Sequence, residues 1–207
     1  MIRVKVCGLT RAEDVHAAVA AGVDACGFNL ARGPRRIDPE RARELAALLP
    51  PFCTAVGLFV DADAQTVLAA MRASRCQVIQ LHGQEPPEFA AHLRAQYPVI
   101  KAFAVRDAAS LAAIADYPAD AYLLDAHVPG LAGGTGTAWD HGLLAGCALR
   151  RPVILAGGLT PENVAAAAAL RPWGVDTASG VEAGEPGVKD HARMARFVAA
   201  ARRGNDD

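Results

Sequence analysis

Short apolar runs rich in β-branched residues alternate along this chain with amphipathic stretches of helical length. The runs fall at residues 4–7, 25–30, 55–60, 77–81, 99–103, 121–124, 153–155 and 175–178. Between them, Ala, Leu, Arg and Glu recur at helical spacing. The pattern predicts helices over 11–21, 39–48, 64–73, 88–96, 108–115, 161–170 and 189–201, with a weaker one over 139–147. Start signals sharpen several of these. Asp38-Pro39 and Thr160-Pro161 each read as a cap followed by proline at the first helical position. Glu162 and Asp190 bring negative charge to a first turn, where the helix dipole favours it.

The strand runs are apolar throughout rather than alternating, as in a parallel sheet buried on both faces. Alternating strand and helix units leave an open doubly wound sheet or a closed barrel. Eight units, with no GxGxxG after the first strand, favour an α/β fold: a single-domain (β/α)8 TIM barrel over residues 1–207. Residues 203–207 read as a frayed tail.

Composition narrows the partners. Hydrophobic residues make up 52% of the chain, enough for a sizeable core. A formal net charge of −1 offers no basic footprint for nucleic acid or an anionic membrane. No apolar run approaches the roughly 20 residues that span a bilayer. The N-terminus enters a strand directly, without the look of a signal peptide. The five cysteines are widely spaced and form no CxxC pair or Cys/His cluster, so no metal site is expected. Reduced thiols in a cytoplasmic protein are the simplest reading.

In such barrels chemistry sits where the strands end at their C-terminal tips. Cys7 closes the first run, followed by Gly8. Asp125 closes the sixth, His82 follows the fourth, and Asp176 lies in the eighth. Gly157-Gly158 follow the seventh run and Ser179-Gly180 the eighth. The loops after strands seven and eight are a common phosphate site in barrels, and glycine lets backbone N–H groups approach an anion. A Gly-Gly pair also makes plain turns, but two such loops at both expected positions favour phosphate. A third cluster, Gly133-Gly134-Thr135-Gly136-Thr137, reads equally as a flap over the site, with Gly134 and Gly136 as substrate contacts, or as a flexible surface loop.

Taken together the motifs resemble one family. They are Lys5-Val6-Cys7-Gly8-Leu9-Thr10, Gly27-Phe28 leading to Pro34-Arg35, Val56-Gly57-Leu58-Phe59-Val60, Gln80-Leu81-His82-Gly83, Leu123-Leu124-Asp125, the Gly133–Gly136 cluster, Ala156-Gly157-Gly158-Leu159, and Ser179-Gly180-Val181-Glu182 with Pro186-Gly187-Val188-Lys189-Asp190. In order and spacing they look like phosphoribosylanthranilate isomerase, from residue 3 to residue 190. The resemblance implies a cofactor-free barrel of tryptophan biosynthesis acting on a small phosphoribosyl substrate. It implies Cys7 as general base, Asp125 as general acid, and Arg35 as a clamp for the anthranilate carboxylate on the rim opposite the phosphate loops. Family members occur as monomers, dimers and halves of fused enzymes.

The residues constrain this reading. An acid must protonate the ribose ring oxygen and a base must take the C2 proton. The acid has to hold its proton, which burial favours, and the thiol has to lose its own, which a nearby cation favours. Singly, a free cysteine is usually a small buried hydrophobe and a strand-end aspartate a turn cap. Their joint occurrence at two strand tips inside the full motif set favours chemistry. Arg32 and Arg36 compete with Arg35, and Gly33 stands where the family often has serine. His82 and Asp176 read as substrate contacts or as hydrogen-bonded structural groups. Two rival functions stay open. One is a histidine-pathway or dual-substrate phosphoribosyl isomerase, whose members carry a carboxylate where Cys7 stands. The other is a barrel that binds a phosphate ligand without turnover.

Overall fold

In the computed structural model, residues 1–105, 111, 114, 116–125 and 149–204 are described. Eight parallel strands close into a barrel in sequence order. They are β1 (Arg3–Cys7), β2 (Ala25–Asn29), β3 (Thr54–Phe59), β4 (Val78–Leu81), β5 (Val99–Ala104), β6 (Ala121–Asp125), β7 (Val153–Ala156) and β8 (Gly174–Thr177). Closure comes from β8 pairing back onto β1, with Lys5 level with Asp176. Among the described residues the helices are α1 (Ala12–Ala21), α2 (Pro39–Ala46), α3 (Ala64–Ser74), α4 (Pro87–Arg94), α5 (Val164–Ala169) and α6 (His191–Arg203). None of them is long and apolar enough to cross a membrane. The helices expected over 108–115 and 139–147 fall largely or wholly outside the described residues.

Both strand faces are buried, which is why the strand runs lack alternation. Outward residues such as Val4, Val6, Phe28 and Leu81 pack under the helices. Fully burying side chains of this size is worth about 1.5–3 kcal/mol each. Inside the barrel, Ala102, Ala121, Leu123, Ile154 and Ala156 form a second, smaller cluster. Across the interior from it, Lys5 of β1 and Asp176 of β8 bring a buried ion pair.

Helix starts follow the sequence signals in part. Asp38 caps α2 by accepting from the Arg41 N–H at 2.7 Å, with Pro39 in the first turn. Asp190 is itself the cap of α6, accepting from the Arg193 N–H at 2.9 Å, rather than a first-turn charge. Thr160-Pro161 does not open a helix. Its side chains and backbone fold a turn first: the Thr160 N–H donates to Asn163 Oδ1 at 2.7 Å, and α5 starts only at Val164. Glu162 therefore precedes that helix. Residue 203, expected in the frayed tail, is helical instead. Arg203 ends α6, and Arg202 donates from Nη2 to the carbonyl of Gly22, the left-handed residue closing α1.

Candidate active site

The C-terminal ends of the strands surround a cavity of about 320 Å³, near the lower end of the range for small-molecule sites. Cys7, Arg35, His82, Asp125, Gly157, Gly158, Asp176, Ser179 and Gly180 all line it. Nine of the sequence-derived site residues thus converge from seven different segments. Gly134 and Gly136 lie outside the described residues.

Cys7 ends β1 with its side chain inward, two residues above Lys5 on the same face. The next residue, Gly8, has φ +72°, and its N–H and that of Leu9 both donate to the Gly27 carbonyl. A side chain at Gly8 would meet Arg35 Cδ at 2.5 Å, so the bare turn is what lets Arg35 fold over the base of the cavity. Asp125 ends β6, three strands round the ring from β1. His82 Nε2 stands 3.6 Å from Asp125 Oδ2, an electrostatic contact longer than a hydrogen bond. The other ring nitrogen, Nδ1, faces Gln80 Nε2 at 3.1 Å, so the Gln80 amide holds the ring in place.

The loops after β7 and β8 form one wall. Gly157 and Gly158 have φ +88° and +65°, a region other residues rarely enter. A Cβ on Gly158 would meet nothing within 4 Å, whereas one on Gly180 would collide with the Leu159 carbonyl. Thr177 Oγ1 donates to that same carbonyl at 2.8 Å and locks the two loops together. One glycine keeps the wall open and the other lets the loops touch.

Arg35 is not on the rim opposite these loops. It reaches across β1 to the chain just after β8, where Nε and Nη2 donate to the two Glu182 oxygens, each at 2.7 Å. Lys189, buried, donates to Glu182 Oε1 at 3.0 Å and to the Ala178 carbonyl at 2.9 Å. Burial opposes the Glu182 charge, but Arg35, the Gly187 N–H and Lys189 overcome it and hold its pKa down at about 2. One edge of the Arg35 fork is thereby engaged. The guanidinium has a second edge, Nη1–Nη2, of the geometry that fits another carboxylate.

Beneath Cys7 lies a buried ion pair, with Lys5 Nζ 2.9 Å from Asp176 Oδ2. Asp176 had been read as a direct contact or a structural group; here it is the partner of a buried lysine. Burial pushes the Asp176 carboxyl up, against the pull of Lys5. Its other oxygen, Oδ1, is buried with no hydrogen-bond partner among the described residues. Sequence reasoning missed Lys5, Glu182 and Lys189 as members of this site. The available signal was a lysine inside an otherwise apolar strand, which folding has to neutralise with a counter-charge.

The arrangement offers a thiol and a carboxyl facing one cavity, a glycine-walled recess and a guanidinium beside it. Comparison with known proteins identifies the family. The family model described as N-(5'phosphoribosyl)anthranilate (PRA) isomerase matches residues 4–200. An N-(5'-phosphoribosyl)anthranilate isomerase of Moorella thermoacetica is 49% identical over 209 residues, covering 100% of this chain and 92% of the relative. The crystal structure of phosphoribosyl anthranilate isomerase from Thermotoga maritima superposes with a TM-score of 0.92 at 38% identity, covering 98% of this chain and 100% of that one. A phosphoribosyl anthranilate isomerase in complex with reduced 1-(o-carboxyphenylamino)-1-deoxyribulose 5-phosphate superposes with a TM-score of 0.87 at 35% identity, again over 98% and 100% of the two chains. The chain belongs to the N-(5'-phosphoribosyl)anthranilate isomerase family, the aldose–ketose isomerases of tryptophan biosynthesis.

Proposed function

We propose that this protein carries out the Amadori rearrangement of N-(5-phosphoribosyl)anthranilate to 1-(2-carboxyphenylamino)-1-deoxyribulose 5-phosphate, with Asp125 as general acid and Cys7 as general base. The observation that carries this reading is the pair of side chains itself, opening into one cavity from the tips of β1 and β6. Asp125 gives its proton to the ribose ring oxygen. The bond from that oxygen to C1 breaks, and the anthranilate nitrogen supplies its electron pair to form an iminium. The Cys7 thiolate then takes the C2 proton. The C–H electrons become a C1–C2 double bond and the iminium nitrogen recovers its pair, giving an enolamine. Loss of the C2 hydroxyl proton and protonation at C1 complete the ketone. Every step moves only protons and electron pairs, the protons passing between the substrate and these two side chains.

Binding divides between the walls. The phosphate takes the recess of Gly157-Gly158 and Ser179-Gly180, where bare backbone approaches an anion without obstruction. The anthranilate carboxylate takes the free edge of Arg35, whose other edge Glu182 holds in place. His82 faces the Asp125 carboxyl at 3.6 Å and helps to place it electrostatically. The four free thiols among the described residues suit a reducing cytoplasm.

Anthranilate fluorescence tests the reading. Freshly formed substrate is expected to lose its emission when the protein is added, and to keep it with Cys7→Ala. Equal decay with and without protein would contradict the proposed activity.

A further inference from the structure

We propose that Lys5, clamped by Asp176, is a positioning residue that keeps Cys7 in its thiolate form for the rearrangement. This rests on the reading of Cys7 as the base.

Placement comes first. Lys5 and Cys7 are two apart on β1, so both point into the barrel. Between them and the next strand is a bare spot. A Cβ on Gly27 would lie 2.8 Å from Cys7 Sγ and 3.2 Å from Lys5 Cε. A side chain there would force the two apart, and its absence lets the lysine stem rise beside the sulfur. Lys5 is 4% exposed, so its charge finds little help from water. Among the described residues its carboxylate partner is Asp176, and an ammonium has three donors to place. Burial pulls Lys5 toward neutrality, yet Asp176 and then Cys7 more than offset it, and its pKa ends above the ordinary lysine value.

Charge around the sulfur points the same way. Among the described residues, Arg35 from the loop after β2 and Lys189 from the loop after β8 join Lys5 as cations whose charge acts on Cys7. Both of these share one carboxylate, Glu182. Three cations thus face two carboxylates, Asp176 and Glu182. One positive charge is left for the sulfur to match. From β4 and β6, His82 and Asp125 face each other, and the mechanism loads Asp125 with a proton. From β2, Cys26 contributes nothing to the balance: its sulfur lies 3.9 Å from Cys53, and that contact and burial push its thiol up.

A base held as thiolate needs its counter-charge fixed before substrate arrives. Asp176 does the fixing. It holds the ammonium from one side with one oxygen and leaves the sulfur side open.

The test is alkylation of Cys7 by iodoacetamide, followed on the Cys7 peptide from acid to alkaline pH. Wild type, Lys5→Met, Lys5→Arg and Asp176→Asn are compared. Lys5→Met is expected to raise the titration midpoint by about one unit or more, about tenfold less thiolate at neutral pH. Its kcat should fall more than its KM changes, and should recover toward alkaline pH. Lys5→Arg keeps the charge and is expected to shift the midpoint less. Asp176→Asn leaves the sulfur as the nearest counter-charge of Lys5 and is expected to move the midpoint down. Non-specific damage would move Lys5→Met and Asp176→Asn the same way. An unmoved midpoint in Lys5→Met, or a raised one in Asp176→Asn, overturns the inference. If Lys5→Met does not fold, the other two variants decide it. Alkylation needs no turnover, so a failed base assignment would leave this result standing, and the reverse also holds.

Discussion

Lys5 of β1 and Lys101 of β5 are both buried strand lysines paired with a carboxylate, at 2.9 Å to Asp176 and 3.1 Å to Glu85. They face opposite ways. Ala102 packs inside the barrel, so its neighbour Lys101 points outward, with Phe103 on the same side. Lys101 completes its bonding with the carbonyls of Gly83 at 2.7 Å and Ala102 at 2.9 Å. Glu85 accepts from the N–H groups of Asp61 and Gly83. Burial outweighs Glu85 there, and the Lys101 pKa falls below the ordinary value. The inner pair has one carboxylate oxygen without a partner among the described residues and a sulfur at its side. A pair closed by backbone groups pins the loop after β4 to the wall. A pair left open on one side, beneath a cavity, is the one proposed here to serve chemistry.

The sharpest break in that contrast is at Asp125, the proposed acid across from the inner pair. Asp125→Asn is expected to abolish turnover while the melting temperature stays near wild type, because the amide keeps the shape and cannot give the proton. Retained turnover would move the acid elsewhere, with Asp176 the first alternative. On the outer side, Lys101→Met strands a buried carboxylate and is expected to cost about 3–5 kcal/mol of stability in denaturant unfolding. Its Cys7 alkylation midpoint should not move. A shifted midpoint with unchanged stability would reverse the roles assigned to the two lysines.

Much of this was legible beforehand. The eight strands were readable because burial on both faces leaves uninterrupted apolar runs, and the tips of those runs named Cys7 and Asp125. Pairing was not readable. Lys5 and Asp176 are 171 positions apart, and Arg35 and Glu182 147 apart. Only barrel closure brings β8 beside β1, and no local pattern encodes which carboxylate meets which cation. Arg35 was assigned to the wrong rim for that reason. The Thr160-Pro161 misreading has a local cause. Asn163 bonds back to Thr160 and to the Gly158 carbonyl, so polar side chains build a turn where a cap was expected.

Smaller effects sharpen the anion wall of the cavity. Gly158→Val puts a branched side chain into open space at a φ of +65°. It is expected to raise KM well beyond its effect on kcat, and an unchanged KM would remove this loop from phosphate binding. The mildest effect is on acid stability. The Glu182 pKa is depressed in the fold to about 2, so its contribution is fully present above its ordinary value of 4.5 and fades as pH falls from there to about 2. Glu182→Gln is expected to flatten melting temperature against pH in that window. A wild-type acid limb of unchanged slope would contradict the sign.

The central claim is that Cys7 is the base, and Cys7→Ser tests it most directly. Measured by anthranilate fluorescence, kcat is expected to fall about 10²–10⁴-fold, since a hydroxyl is a far poorer base at neutral pH. KM and the melting temperature should stay close to wild type. A serine variant with near wild-type kcat would take Cys7 out of the reaction, and with it the role given to the lysine beneath it.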